Sequence, residues 1–137
     1  CMKKKWFILA LLLPVFFAAK AQSDYKVIFD ITSKDTASHK SVLRQASGIV
    51  KANPDAQVEV VIYSNALDLA VKDKSVIATP LAELLKDDRV QFKVCAITMK
   101  RHNVAQPQLV PGIQVVDDGI YEIIRRQREG WGYIKVN

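Results

Sequence analysis

The 137 residues, half of them hydrophobic, suit one domain rather than two. The formal charge of +6 points toward an acidic partner until Lys3, Lys4, Lys5 and Lys20 are assigned to an N-terminal segment removed on export. The remaining 16 basic residues against 14 acidic ones leave about +2, which gives no electrostatic case for nucleic acid.

Lys3 to Lys5 precede an apolar run from Trp6 to Ala19, and Ala19-Lys20-Ala21 has the small-x-small form of a signal-peptidase site. The run of about 14 residues falls short of the roughly 20 that span a bilayer. Residues 1–21 read as a cleaved secretory signal with the cut after Ala21. The mature chain, 22–137, is expected to be periplasmic or secreted, without a stable membrane anchor after cleavage. Gln22 rather than a cysteine follows the cut, so a lipoprotein is not expected, and Cys1, ahead of Met2, leaves with the signal. Cys95 is then the one thiol of the mature chain in an oxidising compartment, with no partner for a structural disulfide. Two readings follow: a buried small hydrophobe, or a thiol kept for chemistry.

Tyr25 to Ile31 is β-rich and reads as the first strand. Ser33-Lys34-Asp35-Thr36 supplies turn and capping chemistry for a helix over Ser38–Lys51, where Val42, Leu43, Ala46, Ile49 and Val50 form one face. Asn53-Pro54-Asp55 stops it. Gln57 to Tyr63 is a second strand, apolar enough to be covered on both faces. A loop or short helical turn runs on to Lys72. Ser75 to Lys86 reads as a helix with Ile77, Leu81, Leu84 and Leu85 inward, its start drawn toward Thr79 by Pro80. In the third strand, Arg89 to Val94, alternation puts Gln91, Lys93 and Cys95 on one face. A short basic helix from Ile97 to Asn103 follows, then a loop over 106–112 and a fourth strand, Ile113 to Val116. Asp117 or Asp118 caps a last helix that ends near Gly130, with Ile120, Ile123, Ile124 and Gln127 on one side. Tyr133 to Val136 is a fifth strand. Strands alternating with helices at these connection lengths predict a parallel sheet with helices on both faces.

The chemistry centres on Cys95, at the carboxyl end of a strand and the amino end of a helix, where open α/β sheets place their ligand crevices. A free thiol has a pKa of about 8.5, and a helix N-terminus with basic neighbours lowers it. Lys100, Arg101 and His102, with Lys93 on the strand, are the basic candidates for attracting an anionic donor or product. His102 lies two helical turns on, roughly 10 Å along the axis, too far to deprotonate the thiol as in a Cys–His hydrolase. His39 reads as a surface residue. His39, His102 and Cys95 lack ligand spacing, so no metal is expected. Neither G-x-G-x-x-G nor a P-loop occurs, so no nucleotide or other cofactor is expected. Trp131 and Tyr133 read as core or subunit contacts.

Val94-Cys95 closing a strand, Leu109-Val110-Pro111-Gly112-Ile113-x-Val115-Val116, Gly119-Ile120-x-Glu122-Ile123 and Gln127-x-x-Gly130-x-x-Tyr133-Ile134 follow one another in an order that resembles the DsrE/DsrF-like family, and its exported branch in particular. The loop Tyr63-Ser64-Asn65-Ala66 departs from the His-Gly-type turn often found there. The resemblance implies a flavodoxin-like, three-layer α/β/α fold with a five-stranded, mostly parallel sheet, and homo-oligomers such as dimers, trimers or hexamers. It also implies sulfur-relay chemistry, in which Cys95 accepts sulfane sulfur as a persulfide and passes it to a partner protein. Thr98, Lys100, Arg101 and His102 are the supporting residues. Two other readings stand beside this one. They are a non-catalytic oligomer that binds a ligand or partner, with a structural Cys95, and a thiol redox sensor.

Overall fold

The computed structural model describes residues 25–137. The signal-peptide reading of 1–21 lies outside them. Five parallel strands form one sheet: β1 (Lys26–Ile31), β2 (Gln57–Ile62), β3 (Val90–Cys95), β4 (Gln114–Val116) and β5 (Gly132–Val136), in the order β4-β3-β2-β1-β5.

On the first face lie α1 (Thr36–Ala52), a 3-10 segment (Ser64–Ala70), α2 (Ala78–Leu84) and α3 (Ala96–Arg101). They bury Val42, Ala46, Val50, Leu69, Leu81 and Met99 against Phe29, Ile31, Val60, Ile62, Phe92 and Val94, which is the main core. Asp35 caps α1 by accepting from the Ala37 N–H at 2.9 Å, and Asn53 closes it on the Ile49 carbonyl. The helix expected over 75–86 is shorter because Ser75 and Val76 stay in the turn before it and Lys86 lies past its end.

A single helix, α4 (Gly119–Arg128), covers the second face. The apolar contact there is small: Ile28, Val61, Ile123 and Trp131, with Tyr63 at its margin. The helix ends in a Schellman motif, where Gly130 at φ +88° lets its own N–H reach the Gln127 carbonyl and the Trp131 N–H reach that of Arg126.

Two sequence expectations change here. Of the apolar face expected on α4, only Ile123 is buried. Ile120 and Ile124 are 55% and 41% exposed, Gln127 is exposed, and the inward face is Gly119, Glu122 and Ile123. The reason lies in the sheet, whose second face carries Asp30, Glu59 and Lys93, so the helix turns its ionic residues toward it. His39, expected on the surface, is buried on α1, its Nε2 2.8 Å from the Ser33 carbonyl oxygen.

Candidate functional site: a thiol beneath a helix N-terminus

β3 leaves the sheet toward α3 on the first face, whereas its neighbour β4 leaves toward α4 on the second. Such a divergence is where open parallel sheets place their ligand crevices. Cys95, the last residue of β3, is also the N-cap of α3, with extended φ and ψ. It is the free cysteine among the described residues and is only 5% exposed.

Its cover is the first residue of α4. A Cβ added at Gly119 would lie 3.1 Å from Val61 Cγ1, 3.2 Å from Cys95 Cβ and 3.5 Å from Tyr63 Cβ. No larger residue lets the helix sit this low on the sheet. Asp118 caps α4 by accepting from the N–H groups of Ile120 and Tyr121 at 2.9 and 3.3 Å.

The supporting residues separate into two kinds. Thr98 is buried, and its Oγ1 accepts the Ser64 N–H at 3.1 Å. That bond holds Ser64 in the left-handed region, φ +56°, and so fixes the turn that carries Tyr63 to the thiol. Lys100, Arg101 and His102 are exposed at the end of α3, which packs on the first face.

Lys93 shares the second face with Cys95 but is committed elsewhere. Its ammonium donates to Glu122 Oε1 at 2.8 Å and lies 3.2 Å from Glu59 Oε2. Glu59 Oε2 also accepts from Arg126 Nε at 2.7 Å, while Glu122 is gripped by Arg125 at 2.7 and 3.0 Å. Arg126 in turn stacks 4.3 Å over the Trp131 ring. Burial and the neighbouring Glu122 carboxyl push Glu59 up to about 7, against the pull of Lys93 and Arg126. Burial also works against ionisation of Glu122, but bonds from Arg125, Glu59 and Lys93 outweigh it and hold that carboxyl below the usual range. Of the two acids, Glu59 is the one that holds a proton more readily. Glu59 Oε1 is buried without a hydrogen-bond partner among the described residues.

Sequence reasoning missed Glu59 and its partners. The apolar run of β2 hid the carboxylate, although Glu122 and Arg126 at i,i+4 spacing were a visible signal on α4. It also missed Asp30, buried on β1, which accepts from the Tyr133 hydroxyl at 2.5 Å and from Lys135 at 3.1 Å.

These features define an α/β protein with a five-stranded parallel sheet, in which a thiol ending the inner strand β3 lies against the N-terminus of α4. The DsrE/DsrF-like family profile matches residues 26–136, and the chain belongs to that family. Among solved structures it is similar to MTH1491 from Methanobacterium thermoautotrophicum, described as a protein of unknown function. The identity is 29%, with 81% of this chain and 98% of that one covered at a TM-score of 0.75. It shares its fold with the ychN protein from E. coli, at 16% identity, 80% and 97% coverage and a TM-score of 0.66. It also shares it with BT1422 from Bacteroides thetaiotaomicron, a conserved protein of unknown function, at 14% identity, 85% and 98% coverage and a TM-score of 0.69. A comparison with curated proteins finds no match.

Proposed function

We propose that the protein is an exported sulfur carrier that holds sulfane sulfur as a persulfide on Cys95 and passes it to a partner protein. The observation that carries this reading is the place of Cys95, a free cysteine where two helices diverge from adjacent strand ends and the N-terminus of α4 lies against it. A sulfur anion there meets the positive end of a helix. Membership of a sulfur-relay-type family supports the same chemistry. Thr98 holds the Tyr63–Ser64 turn beside the thiol, while Lys100, Arg101 and His102, exposed at the far end of α3 on the first face, offer a basic cluster to the partner that donates or receives sulfur. Export rests on the signal-like residues 1–21. Self-association, as dimer, trimer or hexamer, is supported by the exposed apolar residues of α4.

The burial of Cys95 favours one competing reading, in which the sulfur is a packing group only. Intact-mass analysis after incubation with a sulfane-sulfur donor separates the two. The carrier gains one sulfur, roughly 32 Da, and Cys95→Ser gains none. A wild type that stays unmodified and resists alkylation in the native state sinks the carrier and the redox-sensor readings together. A thiol that alkylates readily yet never takes up sulfur favours redox sensing.

A further inference from the structure

α1 and α2 both rest on the first face, but α1 packs on β2 and on the 3-10 segment rather than closely on α2. A cavity of about 400 Å³ opens between α1 and the segment that leads into and through α2. That volume lies within the range of small-molecule sites, roughly 300–1,000 Å³. The cavity is on the side of the sheet opposite α4, so it is separate from the thiol and its cover.

Its two walls differ in chemistry. The α2 side presents Val76, Ile77, Pro80 and Leu84, all apolar. Ile77 is buried and Leu84 half-buried, while Val76 is 51% exposed, an apolar side chain left open to solvent. The α1 side presents Lys40, Leu43, Arg44 and Ser47. Spacings of three and four put these on one helical stripe, about 10 Å long at 1.5 Å per residue. Among the described residues no acid lines the cavity, and neither cation pairs with a carboxylate. Arg44 Nη2 donates at 3.3 Å only to the neutral Ser41 hydroxyl of its own helix. This sets the pair apart. Arg89 and Arg126, which line a smaller hollow of about 230 Å³, are both tied to acids, Asp87 and Glu59.

We propose that the cavity binds a medium-chain aliphatic carboxylate, with its tail along Val76, Ile77 and Leu84 and its head group between Lys40 and Arg44. Removal of the tail from water supplies affinity in proportion to the apolar area covered. The two cations fix which end faces α1, through charge-assisted hydrogen bonds that a neutral head group does not make. The apolar run Trp6–Ala19 of this chain suits the cavity poorly, because it carries no acid and is flanked by Lys3, Lys4, Lys5 and Lys20, which the α1 wall repels.

The test titrates the protein with octanoate, below micelle-forming concentrations, and follows binding by calorimetry and by NMR shifts of the backbone amides. Octanoate is expected to saturate one site, with the shifts gathered at Leu43, Ser47, Ile77 and Leu84. Octanol, the neutral counterpart, binds about tenfold more weakly. Replacing both cations, Lys40→Gln with Arg44→Gln, lowers octanoate affinity about tenfold and leaves octanol affinity unchanged. Both positions are exposed, so the fold is expected to tolerate the change. Equal octanoate affinity in the wild type and the double variant overturns the proposal. So do shifts that gather at Ile120 and Ile124 on α4 instead of at the cavity. Cavity shifts that move with protein concentration before octanoate is added put a second copy of the chain there, and they overturn it as well.

Discussion

Glu59 is the residue at which the sequence and the fold disagree most sharply. A carboxyl in the middle of an inner strand, fully enclosed, is costly to ionise, and the protein meets that cost by keeping it protonated to about pH 7. The consequence for stability follows from linkage. Below the ordinary carboxyl value of 4.5 the group is protonated both folded and unfolded, and it costs nothing. As pH rises from 4.5 toward 7, the unfolded chain releases the proton while the folded chain keeps it, so stability falls. Above that window the loss is complete. Glu122 acts with the opposite sign: held low in the folded state, it contributes stability above the ordinary range that is lost on acidification. The wild type is therefore expected to lose urea midpoint between pH 5 and pH 8, and Glu59→Gln to flatten that decline. An equally steep decline in the variant would remove Glu59 as its source.

At the scale of elements, α4 is the helix on which the site depends, and it is held unlike the others. The first-face helices rest on the main apolar core, whereas α4 rests on four buried apolar residues and an ionic network from Glu59, Lys93, Glu122 and Arg126. Its N-terminus reaches Cys95 only because residue 119 has no side chain. Gly119→Ala places a methyl group 3.1 to 3.2 Å from Val61 and Cys95, tighter than ordinary packing. The first turn of α4 must lift, at a cost of about 1–3 kcal/mol, and the thiol beneath it should alkylate faster. Measuring denaturant stability alongside iodoacetamide kinetics checks both effects. An unchanged alkylation rate would show that α4 is not the cover.

For the whole molecule, the outer side of α4 is the conspicuous surface. Ile120, Tyr121 and Ile124 stand exposed there, an apolar row on a helix whose inner side is ionic. If this row is where copies of the chain meet, Ile124→Asp yields a monomer by light scattering. Its fold should be little affected, since exposed substitutions cost within about 0.5 kcal/mol. A wild type that stays monomeric at high concentration, or a variant that assembles as before, counts against α4 as the contact.

The fold was legible because its determinants are local and repetitive. Alternation in β3 put Cys95 and Lys93 on one face, three-and-four spacing marked α1, and Asp35, Asn53, Asp118 and Gly130 punctuated the helices through side-chain or backbone preferences acting within a few residues. The candidate thiol was legible for the same reason, as the residue joining a strand to a helix. Tertiary structure alone decided what surrounds it. Glu59 and Arg126 are 67 residues apart, and Asp30 and Lys135 are 105 apart. No local pattern records that these charges meet, since ionic pairing across strands depends on sheet order and on which face α4 covers. Pattern reasoning grouped Ile120, Ile123, Ile124 and Gln127 on one side of α4, and apolar residues at helical spacing usually face a core. Here the sheet beneath is charged, and the helix turned its carboxylate and guanidinium groups to it instead, where leaving Glu59 and Lys93 unpaired would cost more than exposing two isoleucines.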